Sequence, residues 1–264
     1  MKISLIQLQI LPGEENGGEP LVERVMGLID SCAGSDLIVL PELWHVGLLS
    51  YRTIWDFAEE KDGPLMRRIS EKAKQLNAFI HCGSFAEKCG DKLYNSCILF
   101  DRKGTDLAVY HKIHLFSCYG HEADTFTHGD KAVVVDTEEF GRVGLSICYD
   151  IRFPELFRRM TAGLGAEVFI APTAWPYPRK DAFTMCARVR ALENSAHFFV
   201  CNLAGQYKHL RMLGNSAMID TWGDPVYQLG EEPCILRCEF DIETTRRQRR
   251  DFPTLNDLRL GMFD

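Results

Sequence analysis

A cysteine closes the apolar run Val143-Gly144-Leu145-Ser146-Ile147-Cys148, and Tyr149-Asp150-Ile151-Arg152-Phe153-Pro154-Glu155-Leu156 follows as a helix start. A strand that feeds a helix presents a thiol at the strand's carboxyl end. There the outward N–H groups of the helix favour a thiolate and can hold an oxyanion. Cysteine acyl transfer needs both, so Cys148 is the candidate nucleophile. A proton carrier and a fixed cation would complete such a centre. The stretch Asp36-Leu37-Ile38-Val39-Leu40-Pro41-Glu42-Leu43-Trp44 reads as a buried strand ending in a carboxylate beside an apolar rim. That setting disfavours ionisation and suits Glu42 to take the thiol proton and return it to a leaving amine. Tyr110-His111-Lys112-Ile113-His114-Leu115-Phe116 follows another strand, and an ammonium at Lys112 would stabilise both thiolate and tetrahedral oxyanion. Taken singly, each has a plainer reading: a small buried hydrophobe at 148, a surface or helix-start acid at 42, a strand-end lysine at 112.

The four histidines at 111, 114, 121 and 128 lie in an irregular, glycine-containing stretch. No HExxH accompanies them and no Cys/His ligand spacing matches them. Cys234 and Cys238 offer only one pair, so no metal site is expected.

The elements that must position these residues follow from hydrophobic periodicity. Strand patterns fall near 3–9, 36–40, 78–85, 94–100, 105–110, 131–136, 142–147, 166–171, 196–203, 214–220 and 234–240. Helical patterns fall near 19–32, 63–76, 153–162 and 179–194. Hairpins, such as the pair flanking Asp101-Arg102-Lys103-Gly104, occur beside strand–helix–strand units. The fold class expected is therefore α/β, with mixed sheets covered by helices, in one domain spanning 1–264. Arg246-Arg247-Gln248-Arg249-Arg250 closes a further helix, where cations favour the negative end of the dipole. The tail from 251 carries Phe252, Leu255, Leu258, Leu260 and Phe263 without a helical period, and is expected to dock on a surface, that of a second subunit among the options.

The 264 residues are 46% hydrophobic, enough for a substantial core. With 30 Lys+Arg against 37 Asp+Glu, the net charge of −7 argues against nucleic acid and anionic membranes as partners. No apolar run approaches the ~18–20 residues of a spanning helix, and residues 1–9 alternate like a strand rather than a signal peptide. A soluble, cytoplasmic protein is expected, with its ten cysteines, none in a CxxC pair, mostly reduced core residues.

Leu40-Pro41-Glu42, His111-Lys112-Ile113-His114-Leu115 and Ile147-Cys148-Tyr149-Asp150-Ile151-Arg152-Phe153-Pro154-Glu155 together resemble the nitrilase superfamily of carbon–nitrogen hydrolases in order and spacing. Arg190-Ala191-Leu192-Glu193-Asn194, Gly214-Asn215-Ser216 and Trp222-Gly223-Asp224 extend the resemblance over nearly the whole chain. It implies a four-layer αββα sandwich, usually a homodimer. It also implies a triad with Glu42 as general base and acid, Lys112 as transition-state stabiliser and Cys148 as nucleophile. The family's additional glutamate matches Glu122, which would position Lys112 or the substrate amide. The Tyr149 backbone N–H would share the oxyanion with Lys112, and no cofactor is implied.

Nitrilases proper usually carry Cys-Trp-Glu, whereas Cys148-Tyr149-Asp150 is similar to the amidase and carbamoylase branches. The loop 111–130 together with Ala174-Trp175-Pro176 looks most like small ω-amidases, which act on dicarboxylic monoamides such as 2-oxoglutaramate or succinamate. Trp175 would then wall the site, and Arg152, Arg179, Arg188 and Arg190 are candidates for the substrate carboxylate. For Arg152 and Arg190 the alternative is structural pairing with Glu155 or Glu193. The chain departs from ω-amidases at Ala182-Phe183, where a His-Trp pair is common. An N-carbamoyl amine hydrolase is the rival reading, and a catalytically silent binding member a further one.

Overall fold

The computed structural model describes residues 1–46, 54–118, 120–207 and 210–259. Strands are numbered in chain order. The first sheet comprises β1 (Lys2–Gln7), β2 (Leu37–Val39), β3 (Phe79–His81), β4 (Phe85–Cys89), β5 (Lys92–Phe100), β6 (Asp106–His111) and β15 (Cys234–Glu239). The second comprises β7 (Val133–Thr137), β8 (Gly141–Leu145), β9 (Val168–Thr173), β10 (His197–Asn202), β13 (Ala217–Ile219) and β14 (Pro225–Gln228). A separate hairpin joins β11 (Ala204–Tyr207) to β12 (Leu210–Leu213). Both sheets are mixed. β1–β2–β3 and β8–β9–β10 run parallel, and their flanking strands pair antiparallel.

The parallel centres are buried on both faces, which is why β9 and β10 read as continuous apolar runs. The sheets pack face to face: the Cys201 thiol of β10 donates to Ile6 O of β1 and Val39 O of β2, each at 3.3 Å. Helices α1 (Glu19–Asp30) and α2 (Pro64–Leu76) contribute Leu21, Val25, Met26, Ile29, Leu65, Met66, Ile69 and Ala73 to the core. On the second sheet α5 (Lys180–Glu193) buries Phe183, Ala187 and Ala191, and α6 (Ile242–Asp251) follows the last strand. Phe157, Phe169 and Phe198 meet ring to ring at 5.0–5.8 Å, and burying each stabilises the fold by about 1.5–3 kcal/mol. The result is the expected four-layer αββα sandwich. Among the described residues, no helix is long and apolar enough to cross a membrane.

Two expected boundaries shift for backbone reasons. The single strand foreseen near 78–85 is broken at Gly83, whose φ is +73°. A Cβ there would lie 2.1 Å from Pro41 O. The helix foreseen from 153 starts at Pro154 as α4 (Pro154–Arg158) and passes into a wider π turn over 159–163. Phe153, held extended by the proline after it, separates α4 from a 3₁₀ turn at Cys148–Arg152. The β11–β12 hairpin and β14 gave no usable alternation. In the tail, Phe252 packs on Trp222 and residues 254–257 form one 3₁₀ turn, while Leu260 and Phe263 lie outside the described residues.

Candidate active site

Glu42, Lys112 and Cys148 each sit just past the carboxyl end of a strand: β2, β6 and β8 respectively. Sheet packing brings these ends together. The turn after β2 is fixed by Ser84 Oγ, which accepts from Leu43 N at 3.1 Å, and by Ser84 N, which donates to Pro41 O at 3.2 Å. Past β6, Lys112 N donates to Asn95 O and Lys112 O accepts from Gly129 N at 2.8 Å. A side chain at 129 would press its Cβ to 2.1 Å from His111 O, so this approach requires glycine.

Lys112 Nζ lies 2.8 Å from Glu42 Oε1 and 2.6 Å from Glu122 Oε1. All three residues are at least 95% buried. Glu122 opens the short helix α3 (Glu122–Thr125), and its second oxygen accepts from Phe116 N at 3.0 Å. Asn95 Nδ2 donates to both carboxylates, at 3.0 Å to Glu42 and 3.2 Å to Glu122. Burial alone would lower the Lys112 pKa. The two carboxylates overrule it and hold the ammonium well above its ordinary range. Burial raises the Glu122 pKa against the opposing pull of Lys112.

The half-buried Cys148 contacts the Glu42 carboxylate and the backbone of Ala174. Its φ of +46° is the left-handed conformation that costs a non-glycine residue about 1–2 kcal/mol. This turn aims the sulfur out of the strand at Glu42 and Lys112. One expectation is corrected here. Burial, and then the Glu42 carboxylate, drive the Cys148 pKa well up, with Lys112 opposing. The resting sulfur is therefore a thiol beside the Glu42 carboxylate. The five-residue 3₁₀ turn is too short to supply a helix dipole that would reverse this.

Asp150 ties the cysteine turn to the lysine segment. Its Oδ2 accepts from Ile147 N at 2.8 Å and from Tyr110 Oη at 2.7 Å. Its Oδ1 accepts from His114 N at 3.0 Å and meets His114 Nδ1 at 2.7 Å. Neither Asp150 nor Asn95 stood out in the sequence as a site residue. The available signal was a polar side chain inside an apolar strand at 95 and a carboxylate two residues past a candidate nucleophile at 150.

The four arginines separate. The Arg190 guanidinium donates to Ile151 O at 2.9 Å, to Arg152 O at 3.5 Å and to Glu193, so it braces the cysteine turn from behind instead of facing a substrate. Arg188 is committed to Gly223 O at 2.6 Å and Asp224 at 3.0 Å, where α5 meets the 220–224 turn. Neither is a substrate ligand here: for Arg190 the alternative of structural pairing with Glu193 holds, and Arg188 is corrected because helix α5 turns it toward a carbonyl and a carboxylate that satisfy it. Arg152 lies over the Trp175 ring at 5.2 Å, and Arg179 over Phe116 at 5.3 Å. Phe116 in turn meets Tyr149 edge to face at 5.1 Å. Trp175 is buried, packs on Phe183 and donates Nε1–H to Arg179 O at 3.1 Å. Arg152 and Arg179 thus both lie on aromatic rings, Arg179 in a cluster with Phe116 and Tyr149, the residue after the cysteine.

A buried acid and ammonium beside a half-buried thiol, at strand ends of an αββα sandwich, are the groups a thiol-dependent hydrolase would need. A sequence model of the carbon–nitrogen hydrolase family matches residues 2–250, and the chain belongs to that family. It is 34% identical over 252 residues to a 2-oxoglutaramate amidase of Paenarthrobacter nicotinovorans, covering 93% of this chain and 85% of the relative. It is 30% identical to the omega-amidase NIT2 of Bos taurus, covering 100% of this chain and 96% of that one. Among solved structures it resembles XC1258 from Xanthomonas campestris, a CN-hydrolase superfamily protein with an arsenic adduct in its active site. The TM-score is 0.88 and the identity 27%, with 98% and 97% of the two chains covered.

Proposed function

We propose that this carbon–nitrogen hydrolase is an ω-amidase-like amidohydrolase acting on dicarboxylic monoamides such as 2-oxoglutaramate or succinamate through a cysteine thioester. The observation that carries the reading is the buried cluster in which Lys112 bridges Glu42 and Glu122 while Cys148 contacts Glu42. The amidase names of relatives at 30–34% identity support the substrate class.

As the sulfur attacks the amide carbon, Glu42 takes the thiol proton, so no free thiolate need accumulate. The oxyanion forms beside Lys112 Nζ and the Tyr149 N–H, an early donor of the 3₁₀ turn. Glu42 returns the proton to the departing nitrogen, the C–N bond breaks and ammonia leaves a thioester. Water, deprotonated by the same Glu42, then attacks the thioester, and the acid product and thiol are released. Glu122 and Asn95 hold Lys112 and Glu42 in register and do not exchange protons with substrate. The distal carboxylate would pair with Arg152 or Arg179, the two guanidiniums that lie over the Trp175 and Phe116 rings.

The chain would work as one catalytic domain in a homodimer. Helix α5 exposes Met185, Val189 and Leu192, and the adjoining Trp222 and Phe252 are half exposed, which together make an apolar patch suited to a second copy. All ten cysteines are free, as a reducing cytoplasm would keep them. The test is ammonia release across succinamate, 2-oxoglutaramate, glutamine, asparagine, N-carbamoyl amino acids and simple nitriles. Preference for the monoamides is expected, with an acyl-enzyme at Cys148 trapped by rapid quench and seen by mass spectrometry. Preference for carbamoyl compounds would replace the substrate assignment, and turnover by Cys148→Ala would remove the mechanism.

A further inference from the structure

The strand that carries the catalytic lysine presents a second group of chemical donors on its opposite face. Side chains alternate along β6 and its continuation, so Lys112 points into the catalytic cluster and His111 points away from it. In the ladder Ser96 pairs with both Phe85 and His111, and Tyr94 with Glu87. Positions 87, 89, 94, 96 and 111 therefore share one face, while Asn95 lies on the other with Glu42 and Glu122.

On that outer face His111 Nε2 lies 2.9 Å from Glu87 Oε2, and the Cys89 thiol lies 3.4 Å from Glu87 Oε1. One donor atom from each residue falls within 4.8 Å of the other two. Glu87 is buried and aimed by the ladder, Cys89 is exposed at the β4–β5 turn, and the His111 ring is held by stacking on Tyr94 at 4.2 Å. An ion pair would account for Glu87 and His111 but gives the sulfur no role. We propose that Glu87, Cys89 and His111 form a binding site for a thiophilic divalent cation of the zinc class, with one coordination position open to solvent.

Tetrahedral zinc, bonded at about 2.0–2.3 Å, sets its ligand atoms about 3.3–3.8 Å apart, a spacing that falls inside the 4.8 Å span of the three donor atoms here. Binding would release the thiol proton and use the unprotonated Nε2 of His111. Because His111 adjoins Lys112, and Lys112 N bonds to Asn95 O, a bound cation would pin β4, β5 and β6 together directly behind the catalytic lysine.

The site is independent of the catalytic assignment and is tested without turnover. The full chain, free of any affinity tag, would carry Cys148→Ala so that the catalytic sulfur cannot bind the probe. It would be titrated with Co²⁺ alone and then Zn²⁺ alone under a non-thiol reductant. One equivalent of Co²⁺ is expected, with a thiolate-to-cobalt charge-transfer band and tetrahedral d–d bands that Zn²⁺ displaces. Cys89→Ser and His111→Gln, each in the same background, should weaken binding by more than the about 100-fold that even outer partners of a ligand contribute. The charge-transfer band should also vanish with Cys89→Ser. Absence of binding, a charge-transfer band that survives Cys89→Ser, or an affinity left unchanged by His111→Gln would overturn the proposal.

Discussion

Asp150→Asn changes one atom of a fully buried side chain and should be among the most damaging isosteric substitutions in the protein. The carboxylate accepts four hydrogen bonds: from Ile147 N and Tyr110 Oη on one oxygen, and from His114 N and Nδ1 on the other. An amide keeps one oxygen and points two N–H donors at whichever pair it abandons. Tyr110 Oη can rotate to accept, and His114 can switch tautomer, but the backbone N–H groups of Ile147 and His114 cannot adapt. One of them must face an N–H donor. That orphaned buried donor costs about 1–3 kcal/mol, and the bonds that remain lose charge assistance worth about 1 kcal/mol each. The sum, about 3–5 kcal/mol, is a large part of a typical domain's stability. Ile147 precedes the proposed nucleophile and His114 follows Lys112 by two residues, so kcat should fall by about 100-fold in the fraction that remains folded. Urea unfolding read alongside ammonia release checks both numbers. A variant within about 0.5 kcal/mol of the parent and fully active would refute the account of Asp150 as the tie between the two segments.

Four shorter expectations follow from the same geometry. Cys148→Gly and Cys148→Ala should both abolish turnover, with the glycine variant the more stable by about 1 kcal/mol because φ at 148 is +46°; equal stabilities in urea would argue that this turn is unstrained. Burial lowers the pKa of His197 to about 4 and those of His45 and His81 to about 3, whereas the unfolded side chains titrate near 6.5. Below pH 6.5 the unfolded chain thus binds more protons and stability falls toward pH 4, a decline that His197→Gln should make shallower, and a flat profile from pH 7 to 5 would contradict it. Arg152→Gln should raise KM for succinamate by about 10–100-fold and leave a neutral aliphatic amide nearly unaffected; an equal effect on both would assign Arg152 to the scaffold. Val189→Glu on the apolar face of α5 should shift the chain from dimer to monomer in sedimentation velocity, and an unchanged mass would put the contact elsewhere.

The candidate site was legible in the sequence because strand-end motifs are local. An apolar run ending in Glu42, Lys112 or Cys148 states both the strand and the residue that leaves it, and three such motifs in order resemble one family. The helical periods of α1, α2 and α5 and the parallel strands were visible for the same reason: burial on one or both faces writes itself into two to four neighbouring residues. What depended on contacts between distant segments was not visible. The direction of the Cys148 pKa was misjudged because its largest causes are burial and a carboxylate 106 positions earlier in the chain. Arg188 looked available because its partner Gly223 is brought to α5 only by sheet packing, whereas the Glu193 partner of Arg190 stands three residues along the same helix and was legible. Asn95 gains its role from tertiary neighbours, and Asp150, which also accepts from the nearby Ile147 N, ties to the lysine segment only through Tyr110 and His114. The amino-acid order thus determined which groups exist and which strand ends carry them; the packing of two sheets decided which groups meet, which are buried and therefore which hold a proton, because electrostatics and desolvation act through space and not along the chain.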